Sequence, residues 1–389
     1  MTETGPGLAR QGEIYMRGLQ GERPAIPLEF GALEALAEQK MSPEAFAYIA
    51  GSAGRETTAQ ANRSALDRWR IVPRMARDCS SRDLSITLFG RRLPTPLLTA
   101  PIGVLSMAHP EADLAVARAA ASVGAPMIIS NQASYPMEQI ADCAGASPKW
   151  FQLYWGRSDE LVASLARRAE ACGCEAIVVT LDTTILGWRA RDLALGHLPF
   201  LKGLGIAQYT SDPVFRAMLP EPPEKNPLAA AALFTQIYSD PTLSWEKLKS
   251  LRRVTRLPIL LKGIQHPEDA ALAVRHGFDG IVVSNHGGRQ VDGAAGSADQ
   301  LPLCAERVQG KIPVLFDSGV RSGADAFKAL ALGATAVCIG RPYAYGLAVG
   351  GQAGVEAVLK NLIAELDLTT ALAGWTRCAD LGREALSGV

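Results

Sequence analysis

Short apolar runs alternate with amphipathic segments along most of the chain from residue 95 onward. The runs are apolar at consecutive positions, which is typical of parallel strands buried on both faces. We predict eight such strands, at 95–101, 126–130, 150–154, 175–182, 257–263, 280–284, 312–319 and 335–340. Helical periodicity lies between them, at 111–123, 136–143, 158–172, 243–255, 267–276, 299–308 and 323–332. This alternation predicts an α/β fold, the (β/α)₈ TIM barrel.

An open, doubly wound sheet is the alternative for the same alternation. That fold normally carries a GxGxxG turn after its first strand, where this chain has APIGVLSMAHP at 100–110. The barrel is therefore favoured. We expect one domain over 1–389, with an N-terminal helical segment at 1–75 and a long insertion at 187–241 after the fourth strand. Connections of this length are usually functional or mobile, so we expect the insertion to act as a lid.

Composition excludes several classes of function. The chain has 39 basic and 39 acidic residues, so it carries no broad field that would attract nucleic acid or an anionic membrane. No apolar run reaches the ~20 residues of a membrane helix, and the N-terminus lacks a signal-peptide pattern. Seven cysteines without a CxxC motif argue against a disulfide framework and a structural zinc site. We therefore expect a cytoplasmic protein without a metal.

Polar residues collect at the C-terminal ends of the predicted strands, where barrel enzymes place their chemistry. Few of these residue types belong in a packed interior without partners, so the pattern predicts an active site at this end. The residues are Ser130, Gln152, Tyr154, Thr180, Asp182, Lys262, Ser284, His286, Asp317, Gly340 and Arg341.

The loops after the seventh and eighth strands are DSGVRSGAD (317–325) and GRPYAYG (340–346). Each combines glycines, an arginine and the start of a helix, which together bind anions through backbone N–H groups. Barrels commonly bind phosphate with this pair of loops. The alternative is that the glycines only make tight turns. Arg321 and Arg341 favour a phosphorylated ligand or cofactor.

The segment SNHGGRQ (284–290) places a histidine and an arginine at the end of the sixth strand. A lone histidine is usually structural, but we interpret the two glycines after His286 as clearance for ligands. Arg289 and Arg189 have the planar fork that clamps a carboxylate. Asp182 is either a turn residue or the carboxylate that orients the histidine. Lys262 either extends to solvent or stabilises a ring that gains electrons.

SNHGGRQ is similar to the signature of the FMN-dependent α-hydroxy-acid oxidising family, and the resemblance runs from about residue 28 to the C-terminus. The supporting motifs are AYIAGSAG (47–54), APIG (100–103), FQLY (151–154), TLDT (180–183), LKGI (261–264), DSGVRSG (317–323) and IGRP (339–342). The resemblance implies that FMN is the cofactor. The FMN contacts that it implies are Pro101, Ile102, Gly103, Ser130, Gln152, Thr180, Lys262 and Ser284, with the phosphate at Asp317, Ser318, Gly319, Val320, Arg321, Gly340 and Arg341.

The same resemblance implies the reaction and its residues. His286 would take a proton from a small 2-hydroxy acid, and Asp182 would support the imidazolium. The substrate-binding residues that it implies are Tyr48, Tyr154, Arg189 and Arg289. Family members commonly form homo-tetramers or homo-octamers, which we expect here on this basis alone.

Segments such as TLDTTILGWRARDL (180–193) resemble the lactate 2-monooxygenase subgroup. This implies oxidation of L-lactate by O₂ to acetate, CO₂ and water. The alternatives are an oxidase that releases keto acid and hydrogen peroxide, a dehydrogenase with another acceptor, an FMN-dependent isomerase and a non-catalytic binding protein. Gly103 stands where family oxidases often have alanine, and Gln132 stands where glycolate oxidase has an aromatic residue, which leaves the substrate side chain open.

Overall fold

The computed structural model describes residues 5–388, so residues 1–4 and 389 of the expected domain lie outside the described part. All eight predicted strands are present, and all but the third are shorter than predicted: β1 Leu97–Thr99, β2 Met127–Ile129, β3 Lys149–Tyr154, β4 Ile177–Thr180, β5 Ile259–Ile264, β6 Gly280–Val283, β7 Val314–Phe316 and β8 Ala336–Ile339. Each pairs in parallel with the next, and β8 pairs with β1, so the sheet is a closed barrel. The (β/α)₈ prediction is confirmed and the open sheet is wrong.

Helices follow the strands around the barrel, and the seven predicted ones are present. They are Ala112–Ser122, Met137–Ala144, Asp159–Ala171, Trp245–Lys249 with the 3₁₀ turn Ser250–Arg253, Pro267–Arg275, Ser297–Val308 and Gly323–Ala331. Ser158 caps its helix as its position suggests, because its Oγ accepts a hydrogen bond from Leu161 N–H at 3.2 Å. The start of a helix predicted within 340–346 is confirmed, but its extent was not predicted: the helix spans Arg341–Leu372 and is kinked at Gly350 and Gly351. No helix within residues 5–388 is long and apolar enough to cross a membrane.

Helices also fill the segment before the barrel: Pro6–Gly18, Phe30–Lys40, Pro43–Ala50 and Thr57–Asp67. Two short strand pairs that the pattern did not predict complete the fold: an antiparallel pair, Trp69–Ile71 with Leu386–Gly388, and a hairpin, Ile86–Leu88 with Arg91–Leu93. Ile86, Leu88 and Leu93 of the hairpin pack with the side chains inside the barrel. The hairpin therefore closes one end of the barrel interior.

Residues 187–241 fold into short helices rather than an extended loop: Ala190–Ala194, the 3₁₀ turn Pro199–Lys202, Ala207–Thr210, Pro213–Ala217 and Pro227–Ile237. The later part buries an aromatic cluster in which the rings of Tyr209 and Phe234 lie 4.7 Å apart. Tyr209 OH donates to Asn131 Oδ1 at 3.1 Å, and the same oxygen accepts Tyr154 N–H at 2.9 Å. The segment from residue 199 onward is therefore anchored to the mouth of the barrel.

The layering of the barrel interior explains why polar residues gather at one end. Residues two apart in a strand face the same side. An apolar layer inside the barrel consists of Leu98, Ile128, Trp150, Val178, Leu260, Val282, Leu315 and Cys338. Two positions further along each strand lie Ala100, Ser130, Gln152, Thr180, Lys262, Ser284, Asp317 and Gly340. A mostly polar layer thus covers the apolar one at the C-terminal end, next to the candidate site.

Candidate active site

A cavity that opens to solvent lies at the C-terminal end of the barrel. Sixteen of the predicted residues line it: Tyr48, Pro101, Ile102, Gly103, Tyr154, Arg189, Lys262, His286, Arg289, Asp317, Ser318, Gly319, Val320, Arg321, Gly340 and Arg341. The other five are Ser130, Gln152, Thr180, Asp182 and Ser284, which are buried or half-buried and lie at the C-terminal ends of β2, β3, β4 and β6. The fold therefore brings the whole predicted set to one end of the barrel.

His286 and Asp182 form a direct pair in which His286 Nδ1 lies 2.7 Å from Asp182 Oδ1. Burial alone would raise the pKa of Asp182, but the charges of His286 and Lys262 and hydrogen bonds from His286 and Thr183 hold this pKa below its ordinary value. Burial lowers the pKa of His286, and Asp182 only partly offsets the effect. The carboxylate is thus ionised and the imidazole neutral at neutral pH. Nδ1–H donates to Asp182, which leaves the Nε2 lone pair to accept a proton.

Glycine is required where β5 passes Asp182. Gly263 has φ +101°, and a Cβ there would lie 2.9 Å from Asp182 Cγ. Clearance for ligands does not explain Gly288, the second glycine after His286, although Gly287 does line the cavity. Gly288 has φ +80°, and a Cβ there would lie 2.7 Å from the backbone nitrogen of Ala59, in the helix Thr57–Asp67. Gly288 therefore allows the histidine turn to pack against that helix, so this part of the clearance interpretation is wrong.

A pair of buried asparagines that the sequence analysis missed holds the histidine turn. Asn62 and Asn285 exchange two side-chain hydrogen bonds, at 2.8 and 2.7 Å. Asn285 Oδ1 also accepts Gly288 N–H at 3.1 Å. The two residues are 223 positions apart, and no local sequence signal links them.

Arg189 and Arg289 both line the cavity, close to the ring of Tyr48. Their guanidinium carbons are 6.0 and 5.1 Å from the ring centroid of Tyr48. Burial, together with the charge of Arg189, lowers the pKa of Arg289 to about 9, which still leaves it protonated at neutral pH. Two close cations in a buried site are stabilised by a bound anion, and the guanidinium fork matches a carboxylate.

Gln290 joins the two arginine loops, a role that the sequence analysis did not assign. Its Nε2 donates to the carbonyl oxygens of Asp182 at 2.7 Å and Ile185 at 2.9 Å. Its Oε1 accepts a hydrogen bond from Arg189 Nη2 at 3.2 Å. The amide therefore fixes the loop that carries both Asp182 and Arg189.

Lys262 points into the interior instead of extending to solvent. Its Nζ donates to Ser284 Oγ at 2.9 Å and lies 3.2 Å from Asp317 Oδ2. Burial would lower its pKa, but the carboxylates of Asp317 and Asp182 raise the pKa well above its ordinary value. Lys262 is therefore a fixed cation in the cavity wall. This is the position that it needs in order to stabilise a ring that gains electrons.

The glycine-rich loops after β7 and β8 supply an anion site in which the two arginines differ. Arg321 stacks on the ring of Phe30 at 4.1 Å. Arg341 donates to the carbonyl oxygens of Ile49, Gly287 and Gly51 at 3.0–3.1 Å. Arg341 thus ties the segment around Gly51 to the histidine turn, and its backbone N–H at the helix start is the group that suits a phosphate.

The floor of the cavity fits a planar polar group such as a flavin. Gln152 Nε2 and Thr180 Oγ1 are buried and have no hydrogen-bond partner among the described residues, and such groups need a partner. A Cβ at Gly340 would meet no described atom within 4 Å, so the space above this residue is open. Burial and the Asp182 charge raise the pKa of Tyr154 to about 12, so its phenol stays protonated and able to donate.

Gly103 and Gln132 are in close contact. A Cβ at Gly103 would lie only 2.8 Å from Gln132 Cβ. The space that the missing methyl group leaves is thus taken up in part by Gln132, which also lines the cavity. Gly103 and Gln132, two positions at which this sequence differs from family oxidases, are therefore coupled through direct contact.

Comparisons with known proteins agree with this geometry. Residues 37–388 match the family model described as FMN-dependent dehydrogenase. The L-lactate oxidase of Lysinibacillus sphaericus is 47% identical over 94% of each chain, and the human 2-hydroxyacid oxidase 1 is 40% identical over 84% of this chain and 87% of the human one. A crystal structure of mandelate oxidase has a TM-score of 0.83 and 38% identity, over 93% of this chain and 98% of that one. This chain belongs to the FMN-dependent dehydrogenase family and is an FMN-dependent oxidoreductase.

Proposed function

We propose that the protein oxidises an L-2-hydroxy acid with a small side chain, with L-lactate as the first candidate, to the 2-keto acid. The observation that carries this proposal is a neutral, carboxylate-supported His286 in the same cavity as two arginines, the buried Arg189 and the half-buried Arg289. A carboxylate held by the arginines places its hydroxyl-bearing carbon near a base. The names of the relatives, L-lactate oxidase and 2-hydroxyacid oxidase 1, support the same substrate class.

In this mechanism Arg189 and Arg289 bind the substrate carboxylate, and Tyr48 and Tyr154 donate hydrogen bonds to substrate oxygens. His286 Nε2 accepts the proton, and Asp182 stabilises the imidazolium that forms, a type of contribution typically worth ~10²–10⁴-fold in rate. FMN, when bound, accepts the two electrons. Lys262, Ser284, Gln152 and Thr180 would hold its ring, while the loops at 317–321 and 340–341 would hold its phosphate.

The second substrate that we propose is O₂, and two product sets are consistent with it. An oxidase releases the keto acid and hydrogen peroxide, which fits the named relatives. A monooxygenase retains the keto acid, so that peroxide decarboxylates it and lactate yields acetate, CO₂ and water. Gly103 and the resemblance of 180–193 support this second candidate. Because Gln290 fixes the loop from Asp182 to Arg189 and the insertion is anchored from residue 199 onward, we place any closing motion in residues 190–198.

Product analysis separates the two candidates. The holoenzyme is incubated with L-lactate in air, with and without catalase, and pyruvate, acetate and peroxide are quantified. Catalase removes free peroxide, so acetate that persists in its presence is formed in the site and establishes the monooxygenase. Pyruvate as the main product with catalase establishes the oxidase. Absence of lactate-dependent flavin bleaching under anaerobic conditions would refute the lactate proposal, and H286Q is the matched inactive control.

A further inference from the structure

Two cysteines lie side by side at the end of the barrel opposite to the cavity. Cys172 and Cys174 connect the helix Asp159–Ala171 to β4, before the strand begins. Their Sγ atoms are 3.9 Å apart. Cys172 is partly exposed, whereas Cys174 is buried. They contribute to none of the groups that line the active-site cavity.

The backbone holds the two thiols on the same side. Gly173, between them, has φ +82°, a left-handed turn that glycine adopts without strain. Gly173 N–H donates to the carbonyl of Glu170 at 3.1 Å, and Cys174 N–H donates to that of Ala169 at 3.0 Å. These bonds end the helix and fix the turn. Closing a disulfide requires the two sulfurs to approach from 3.9 Å to a bond of about 2.05 Å.

The surroundings shift the pKa values of the two thiols in opposite directions. A hydrogen bond with Cys174 lowers the pKa of Cys172, and the charge of Lys149 lowers it further, although burial and Glu138 act in the opposite direction. The same hydrogen bond and burial raise the pKa of Cys174. The thiolate, which is the reactive form, therefore belongs to the more exposed sulfur.

We propose that Cys172 and Cys174 form a redox-active dithiol that hydroperoxides oxidise to a disulfide. The Cys172 thiolate attacks one peroxide oxygen, the O–O bond breaks, and a sulfenic acid and one molecule of alcohol or water result. The Cys174 thiol then attacks the Cys172 sulfur, the S–O bond breaks and water leaves as the S–S bond forms. Two electrons pass from the sulfurs to the peroxide. An oxidase reaction would supply hydrogen peroxide, but the proposal stands without it.

The test uses reduced holoenzyme without lactate, treated with hydrogen peroxide under anaerobic conditions and followed by intact mass, peptide mapping and thiol titration. The variants are C172S and C174S, and C143S is the control because Cys143 is also partly exposed. Wild type and C143S should each lose two thiols and the mass of two hydrogen atoms, and dithiothreitol should reverse both losses. C174S should trap a sulfenic acid on Cys172 that dimedone labels, and C172S should leave Cys174 reduced.

Two results would overturn the proposal. One is oxidation of wild type that stops at a sulfinic acid on Cys172 without an S–S bond. The other is reaction of Cys172 no faster than that of Cys143, since the neighbouring Cys174 and the lowered pKa of the Cys172 thiol should make Cys172 react faster. Lactate-dependent flavin reduction should be unchanged in both serine variants, which confirms that they are folded and that the dithiol acts apart from the active site.

Discussion

Replacing Asp182 with asparagine tests the histidine–carboxylate pair most directly. The substitution D182N keeps the size of the side chain but removes the charge 2.7 Å from His286 Nδ1. Two unit charges about 4 Å apart interact by ~4 kcal/mol at an effective dielectric constant of ~20. Because ~1.36 kcal/mol is tenfold in rate, D182N should slow substrate oxidation by up to ~10³-fold. Substrate binding should change little, because the arginines are untouched.

The pH dependence gives a second readout with a definite sign. His286 must be neutral to accept a proton, so activity falls on the acid side of its pKa. Asp182 raises that pKa, and its neutralisation should therefore move the acid limb to lower pH. Stopped-flow bleaching of the bound flavin under anaerobic conditions measures both effects.

The control is T183V, which removes a hydroxyl 3.1 Å from Asp182 Oδ1 without removing charge. It should cost less than D182N by at least ~10-fold, because a neutral hydrogen bond contributes only ~1 kcal/mol. A D182N rate within about tenfold of wild type, or an acid limb that moves to higher pH, would contradict the assigned role.

Three further variants test other parts of the structure. R289M should raise KM for lactate by ~10²-fold because it removes a charged hydrogen-bonding partner of the substrate carboxylate, and R289K should raise KM less. An unchanged KM in flavin-reduction assays would contradict the proposal that Arg289 binds the carboxylate. G103A should destabilise the fold by ~1–3 kcal/mol through the contact with Gln132. In thermal unfolding, the double variant G103A/Q132G should lose less stability than the two single variants lose together. Additive losses of stability would exclude the coupling between residues 103 and 132. Burial raises the pKa of Asp113 to about 7, so its ionisation destabilises the fold as pH rises from about 4 to about 7. The free energy of unfolding of D113N, measured in urea, should therefore exceed that of wild type by roughly 4 kcal/mol at pH 8 and differ little at pH 4. The same dependence of unfolding free energy on pH in both proteins would refute this.

The sequence pattern predicted the barrel because its signal is local. Each strand is a run of adjacent apolar residues, and in six of the eight the last inward position is polar, as in Trp150 followed by Gln152. The period of two along a strand then places the polar ends in one layer. The identity of the cofactor came from motif resemblance, since the residue types alone indicated only a phosphorylated ligand.

Contacts between distant segments could not be predicted in the same way. The hydrogen bond from Tyr209 to Asn131 joins residues 78 positions apart. It anchors the later part of the insertion 187–241, which was expected to be a mobile lid. Gln290 reaches Asp182 across 108 positions. The hairpin strands Ile86–Leu88 and Arg91–Leu93 are interrupted by polar residues, so they lack the run of adjacent apolar residues that revealed the equally short β1, β2 and β7. These features depend on how elements pack, which propensity and spacing do not encode.

The Asn62–Asn285 pair has a consequence for how the protein folds. The catalytic turn takes its final shape only when a helix formed early in the chain meets a strand end 223 residues later. Loops of this length close late, because ordering them costs conformational entropy before any contact offsets it. Most barrel strands pair with neighbours in sequence, but closing the barrel pairs Val337 of β8 with Leu97 of β1, 240 positions apart. Barrel closure and the final shape of the histidine turn therefore both require contacts between distant parts of the chain, and a chain that has formed only its local β/α units is an inert scaffold before it is an enzyme.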